Sequence, residues 1–240
     1  YRNTLLMFSE RLANGKAPLF VIVDAAGPLE EPFVAANLYD LIADAFSSTL
    51  AKAESQRVLG DIERSQYEMI RTADKRNRAA QPGTEVSSWY DGVVVECDMY
   101  LRRFPDSAGS AEVEFFRGFY RYRARDYDGA IRDLETFAKR NPGSTLLPSA
   151  AFTAALATLD AGRRPDALSR LERVASDYPM SPLGGKALFI AGQACFRNME
   201  YKKAEGYLQR AFDLSPEDES GRQAKQLLEK LRQPGAAVSN

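Results

Sequence analysis

Histidine is absent from the 240-residue chain. The side chain that most often acts as general base at neutral pH, and most often binds metals, is therefore missing. Ser-His-Asp and Cys-His nucleophile relays and His-containing zinc sites are excluded with it. Cys97 and Cys195 stand alone, without a Cys-x-x-Cys pairing, and read as two small buried hydrophobes and not as a disulfide. There is no Walker-type glycine-rich loop and no Gly-x-Ser-x-Gly elbow. The 33 acidic residues include the runs Glu30-Glu31 and Glu217-Asp218-Glu219. Such runs suit turns and helix starts, where negative charge complements the helix dipole. The segment Val21-Ile22-Val23-Asp24-Ala25-Ala26-Gly27 has the form of an apolar strand ending at the ligand-bearing edge of a nucleotide-binding sheet. No second strand or βαβ pattern accompanies it, so it reads as a packed entry segment, and an enzymatic site in the N-terminal third is the weakest of the alternatives. We expect no catalytic residue, no metal and no cofactor.

The chemistry the chain does carry is that of contact. Phe115, Phe152 and Phe189 are spaced by 37 residues, and Tyr122, Leu159 and Phe196 keep the same step. Phe119 adds a further ring. Stacked repeats would set these side chains along one wall as an apolar ladder. A soluble protein seldom exposes such a surface without a binding role, and it suits an apolar helix or extended peptide. The opposite reading buries the same rings as core. Arg117, Arg121 and Arg125 follow i, i+4, i+8 spacing and share one helix stripe, with Arg123 and Arg132 nearby. They make either a basic patch for an acidic partner or one side of ion pairs with Glu114, Glu96 and Asp98. A second basic run over 71–78 reads as solvated helix surface.

The elements that must position these residues follow the same period. Pro142, Pro179 and Pro216 are 37 residues apart, as are Ala130, Ala167 and Ala204, then Leu134, Leu171 and Leu208, then Gly118, Ala155 and Gly192. A fixed period of this length means one structural unit used repeatedly and stacked as a solenoid, which works by presenting a surface. The units run 111–147, 148–184 and 185–221. Each is a helix, a turn and a second helix, with inward faces Ala130/Leu134/Phe137, Ala167/Leu171/Val174 and Ala204/Leu208/Ala211. A proline stops each second helix. Residues 222–233 form a closing helix that turns Leu227, Leu228 and Leu231 to the last repeat, and 234–240 is a loose tail. One step back, Pro105 ends an altered unit. Its helix 86–103 points Val93, Cys97 and Tyr100 inward, and its partner is a longer helix over about 53–80, with Leu59, Ile62, Met69, Ile70 and Ala73 on one face. Further helices are expected over 33–50 and 1–13. The organisation is thus a helical region 1–84, a repeat region 85–233 and the tail 234–240, in one continuous all-α body.

Small residues at Gly118, Ala155 and Gly192, Tyr127 and Tyr201, alanines at 130, 167 and 204, and prolines at 142, 179 and 216 resemble the tetratricopeptide repeat. The resemblance implies a helical-hairpin solenoid with a less regular helical N-terminal third. In that family the fifth, ninth and twelfth positions of each first helix line a concave groove. It therefore implies a partner-binding groove of Phe115, Phe119, Tyr122, Phe152, Leu159, Phe189 and Phe196. The period is 37 where the family usually has 34, and Pro-x-Ser follows the second helix. These features are similar to the repeats of the periplasmic Tol-Pal-associated division coordinators and of the outer-membrane barrel-assembly lipoproteins, although no polar heptad run and no lipid-attachment cysteine is visible. That similarity implies a scaffold in a bacterial cell-envelope complex, periplasmic or outer-membrane-associated. The chain begins at Tyr1 and not Met, so we expect a leader upstream, with membrane association through a lipid-modified N-terminus as one form of it. The net charge of −1 argues against nucleic acid as partner, and an apolar run such as Leu19–Val23, which no other in the chain exceeds, is too short to span a bilayer. The partner expected is a protein or peptide; the alternative role is a structural subunit built permanently into a large assembly.

Overall fold

The computed structural model describes residues 52–79 and 87–232. Nine helices fill these residues: α1 Lys52–Ala79, α2 Ser87–Arg103, α3 Ser110–Arg123, α4 Tyr127–Arg140, α5 Leu147–Asp160, α6 Arg164–Asp177, α7 Leu183–Arg197, α8 Tyr201–Leu214 and α9 Glu219–Arg232. The expected helices over 1–13 and 33–50, the Leu19–Val23 run, the loop at 81–84 and the tail 234–240 lie outside the described residues. The chain divides into two compact units, Tyr1–Tyr120 and Arg121–Asn240.

In the first unit, α1 buries Ile62, Gln66, Ile70 and Asp74, a stripe spaced by one turn of helix. Two of the four are polar. Leu59, Met69 and Ala73, expected on that face, are only half-buried. Helix α2 buries Val93, Cys97 and Tyr100 as expected, and Glu96 with them. A buried polar group without a partner costs about 1–3 kcal/mol, and each of these side chains makes at least one hydrogen bond. Gln66 Nε2 donates to Glu96 Oε2 at 3.3 Å, and the Tyr120 hydroxyl donates to Asp74 Oδ1 at 3.0 Å. Ser110 Oγ donates to the Phe104 carbonyl at 2.6 Å and ties the start of α3 to the end of α2.

In the second unit the inward faces of α4, α6 and α8 are those the period predicts. Ala130, Leu134, Phe137, Ala167, Leu171, Val174, Ala204, Leu208 and Ala211 are each no more than 1% exposed. Burying one such leucine stabilises the fold by roughly 1.5–3 kcal/mol. Gly192 is small because Leu208 lies against it; a Cβ there would come within 2.7 Å of Leu208 Cγ. Consecutive helices pack as sequential hairpins, and α5 touches α7 as α7 touches α9. The residues before the three prolines leave the helix with nearly the same backbone: Asn141 at φ −125°, ψ 58°, Tyr178 at −129°, 58° and Ser215 at −143°, 60°. The clash of a proline ring with the preceding residue disfavours helix there, which explains the regular stop. Helix α9 closes the stack with Ala224 and Leu228 buried and with Leu227 and Leu231 packed beside them. Its outer face is charged.

Candidate functional site

The hairpins give the second unit two faces, one from the first helices α5, α7 and α9 and one from the second helices α4, α6 and α8. On the first-helix face the aromatic ladder is not freely exposed. Phe152 and Phe189 are 7% and 8% exposed, and in the first unit Phe115 is 4% exposed. Phe152 packs among Ala155, Leu171, Ala187 and Ala191, and Phe189 among Leu188, Leu208 and Ala211. The expectation that these three rings stand open in a groove is corrected accordingly: they are core. For Phe152 the physical reason is that Ala187 and Ala191, small residues of the next hairpin, close over the ring. Lys186 completes the cover, its Nζ 5.6 Å from the centroid of Phe152.

What reaches solvent is the outer edge of the same helices. Leu156 and Leu159 on α5, and Ile190 and Phe196 on α7, are half-buried. Helical spacing sets Lys186, Ile190, Gln193 and Arg197 in one stripe of α7, and Lys186 and Arg197 at its ends are exposed. The Phe196 ring meets Tyr201 edge-on at 5.7 Å. Tyr122, at the end of α3, donates its hydroxyl to Asp160 Oδ2 at 2.9 Å and lies beside Tyr127. Burial, and then the Asp160 carboxylate, push the Tyr122 phenol far above its ordinary pKa, so it stays a donor. Phe119, in the first unit, stacks on Phe115 at 6.1 Å and meets Tyr120 edge-on at 5.2 Å.

The three arginines expected to share a basic patch have separate employment. Arg117 donates to Asp98 at 3.0 Å. Arg121 reaches Asp126 and Asp133, both at 2.9 Å. Arg125 occupies the turn between α3 and α4 with φ +66°.

Two features of the second-helix face escaped the sequence. The first is a row of ion pairs that step from one hairpin to the next: Arg163–Asp128 at 2.7 Å, Arg170–Glu135 at 2.6 Å, Arg210–Glu172 at 2.9 Å and Arg232–Glu205 at 3.0 Å. The second is a pair of clefts in repeat-equivalent places. One, of about 410 Å³, lies between α4 and α6 over Ala150, Ala151 and Ala154. The other, of about 360 Å³, lies between α6 and α8 over Leu188. Ala151, aligned with the larger Leu188 in the next unit, was the available signal for the larger cleft.

Among the described residues no group of three or more Cys, Asp and Glu side chains could hold a metal ion. Burial raises the Cys195 thiol above its ordinary pKa, which keeps it protonated and unreactive. No helix among the described residues is long and apolar enough to cross a membrane.

The stacked hairpins and their conserved step find a direct counterpart. Residues 152–219 match the family model described as tetratricopeptide repeat. No curated protein matches the chain. Among solved structures, the MamA fragment "41-end" from Desulfovibrio magneticus RS-1 superposes with a TM-score of 0.51 at 16% identity, covering 77% of this chain and 97% of that one. The protein YrrB, described as a TPR protein with an unusual peptide-binding site, superposes with a TM-score of 0.52 at 14% identity, covering 91% of this chain and 97% of that one. At these identities the likeness shows the fold: an all-helical, tetratricopeptide-like stack with sequential hairpin packing. Tetratricopeptide segments work as protein interaction modules, which fits a site made of contact residues and not of reactive ones.

Proposed function

We propose that the protein is a non-enzymatic interaction scaffold whose first-helix face in the second unit docks an apolar helix or extended peptide of a partner protein. The observation that carries this reading is the half-buried apolar edge of α5 and α7, formed by Leu156, Leu159, Ile190 and Phe196, beside rings already fixed in the core. A peptide laid on that edge buries apolar area without ordering the side chains anew, which lowers the entropic penalty of binding. The setting proposed is a bacterial cell-envelope complex, periplasmic or outer-membrane-associated. Its support is the long repeat with Pro-x-Ser after the second helix.

The docking face is tested by selecting peptides from a displayed random library against the intact chain. Selected peptides should carry apolar residues at helical or alternating spacing. Their affinity should fall at least about tenfold in Leu156→Ser and Phe196→Ser variants that keep the wild-type circular dichroism. Peptides whose binding ignores both substitutions would place the site elsewhere. The compartment is tested by fusing the natural full-length protein to alkaline phosphatase, which folds actively only in an oxidising compartment; an inactive fusion would remove the envelope setting.

A further inference from the structure

The two faces of the second unit treat their charges differently. On the second-helix face, cations meet carboxylates of the neighbouring hairpin, Arg170 with Glu135 and Arg210 with Glu172, and Arg232 at the end of α9 reaches back to Glu205 on α8. On the first-helix face the balance fails. Lys186 and Arg197 on α7 and Lys230 on α9 are exposed, and none has a carboxylate at ion-pair distance among the described residues. The nearest polar interaction of Lys186 is with the Phe152 ring, 5.6 Å from its centroid. Of the acidic groups on α5, α7 and α9, Asp160 and Glu219 are engaged within the chain, and Glu229 beside Lys230 is exposed. Asp160 accepts the Tyr122 hydroxyl at 2.9 Å, and Glu219 accepts from Arg222 at 3.1 Å and from Gln223 at 2.6 Å.

Helical spacing explains how the cations frame the apolar edge. Lys186 and Arg197 end the α7 stripe that holds Ile190 and Gln193, and Lys230 is one repeat step beyond Gln193. Leu156 occupies the matching place on α5. The result is an apolar strip with positive ends whose cations have no carboxylate partner among the described residues. A cation resting over a buried ring is also a cover that an incoming carboxylate can draw aside, since an ion pair in a partly dry site is stronger than an exposed cation–π contact.

We infer that the partner segment is acidic: an amphipathic helix that lays its apolar side on Leu156, Leu159 and Phe196 and its carboxylates on Lys186, Arg197 and Lys230. This deepens the docking reading above and rests on it. Complementary charge at such a rim sets encounter rate and partner choice more than total affinity.

The test uses the intact chain and three labelled peptides of about 18 residues, long enough to form a helix on the surface. All carry leucines at i, i+3, i+4, i+7 on one side; the other side is Glu in one, Gln in the second and Lys in the third. By fluorescence anisotropy at low salt the Glu peptide should bind about tenfold or more tighter than the Gln peptide, and the gap should close as salt screens it. The variants Lys186→Glu, Arg197→Glu and Lys230→Glu should each weaken the Glu peptide about threefold to tenfold and strengthen the Lys peptide. These side chains are exposed, so unchanged thermal unfolding should confirm that the fold is intact. Equal binding of the Glu and Gln peptides, or indifference to the charge reversals, overturns the acidic partner and leaves the apolar docking face standing. Failure of all three peptides to bind, or binding that survives Leu156→Ser and Phe196→Ser, removes the docking face and this inference together.

Discussion

At the scale of single residues, the period constrains backbone as well as side chains. Arg125, Gly162 and Met199 occupy the same place in three successive hairpin turns, and all three are left-handed, with φ of 66°, 79° and 59°. Only the middle unit uses glycine there. A side chain in this conformation costs about 1–2 kcal/mol, more than the roughly 0.5–1 kcal/mol by which glycine loosens the unfolded chain. Met199→Gly and Arg125→Gly should therefore stabilise the protein by about 0.5 kcal/mol each, and Gly162→Ala should destabilise it by about 1 kcal/mol. Urea unfolding midpoints check all three; loss of stability in Met199→Gly would mean that its side chain contributes a contact larger than the backbone strain. The aligned Gly162 was legible in the sequence as a turn former, but its neighbours in register hid the backbone demand because Arg and Met are not turn residues. The aromatic ladder shows the complementary limit. The step of 37 makes Phe115, Phe152 and Phe189 equivalent, yet equivalence says nothing of which neighbour closes over them. That depended on Ala187 and Ala191, whose small size admits the ring.

At the scale of elements, helix ends carry the clearest expectations. Asp126 precedes α4 and accepts from the Gly129 N–H at 2.9 Å, so Asp126→Ala should cost about 1 kcal/mol, measured by chemical denaturation. Helix α9 docks through Gly221, where a Cβ would lie 1.8 Å from the Ser215 carbonyl oxygen and 3.1 Å from Pro216 Cα. These are backbone atoms held by the α8 stop, so nothing flexible can yield. Gly221→Ala should cost about 2–3 kcal/mol by forcing the cap away from Leu208 and Ala211. Because each hairpin contacts chiefly its neighbours, amide exchange should quicken in α8 and α9 and stay unchanged in α4 and α5. Uniform acceleration would show a single cooperative body instead. The elements of the second unit were readable almost residue by residue, since apolar positions and prolines mark them. Helix α1 was less readable. Periodicity counts apolar residues, and its buried stripe includes Gln66 and Asp74, whose burial depends on Glu96 and Tyr120 far away in sequence.

At the scale of the whole molecule, the missing histidine becomes a statement about pH. Among the described groups that titrate away from their ordinary values, the carboxylates move down. Burial alone would raise Asp126, but the Gly129 N–H and Arg121 hold it below the usual range. Hydrogen bonds from Lys203 lower Glu200, and one from Arg222 lowers Glu219. A carboxylate whose folded pKa is depressed contributes stability above its unfolded pKa and loses it as pH falls through the folded one, so all three act only on the acid side. The remaining shifts lie on the alkaline side. Burial, then Glu112, pushes Tyr67 to about 12, burial raises Cys195, and the Glu200 hydrogen bond raises Lys203. The Lys203 contribution is present below the unfolded lysine value and fades only as pH rises through the folded one. No side chain in the chain has an unperturbed value between these limits, where histidine would normally titrate. The urea midpoint should therefore be flat from about pH 5.5 to 8.5 and should fall below about pH 4.5 as the paired carboxylates protonate. A change in stability above about 0.5 kcal/mol between pH 6 and 8 would overturn this expectation.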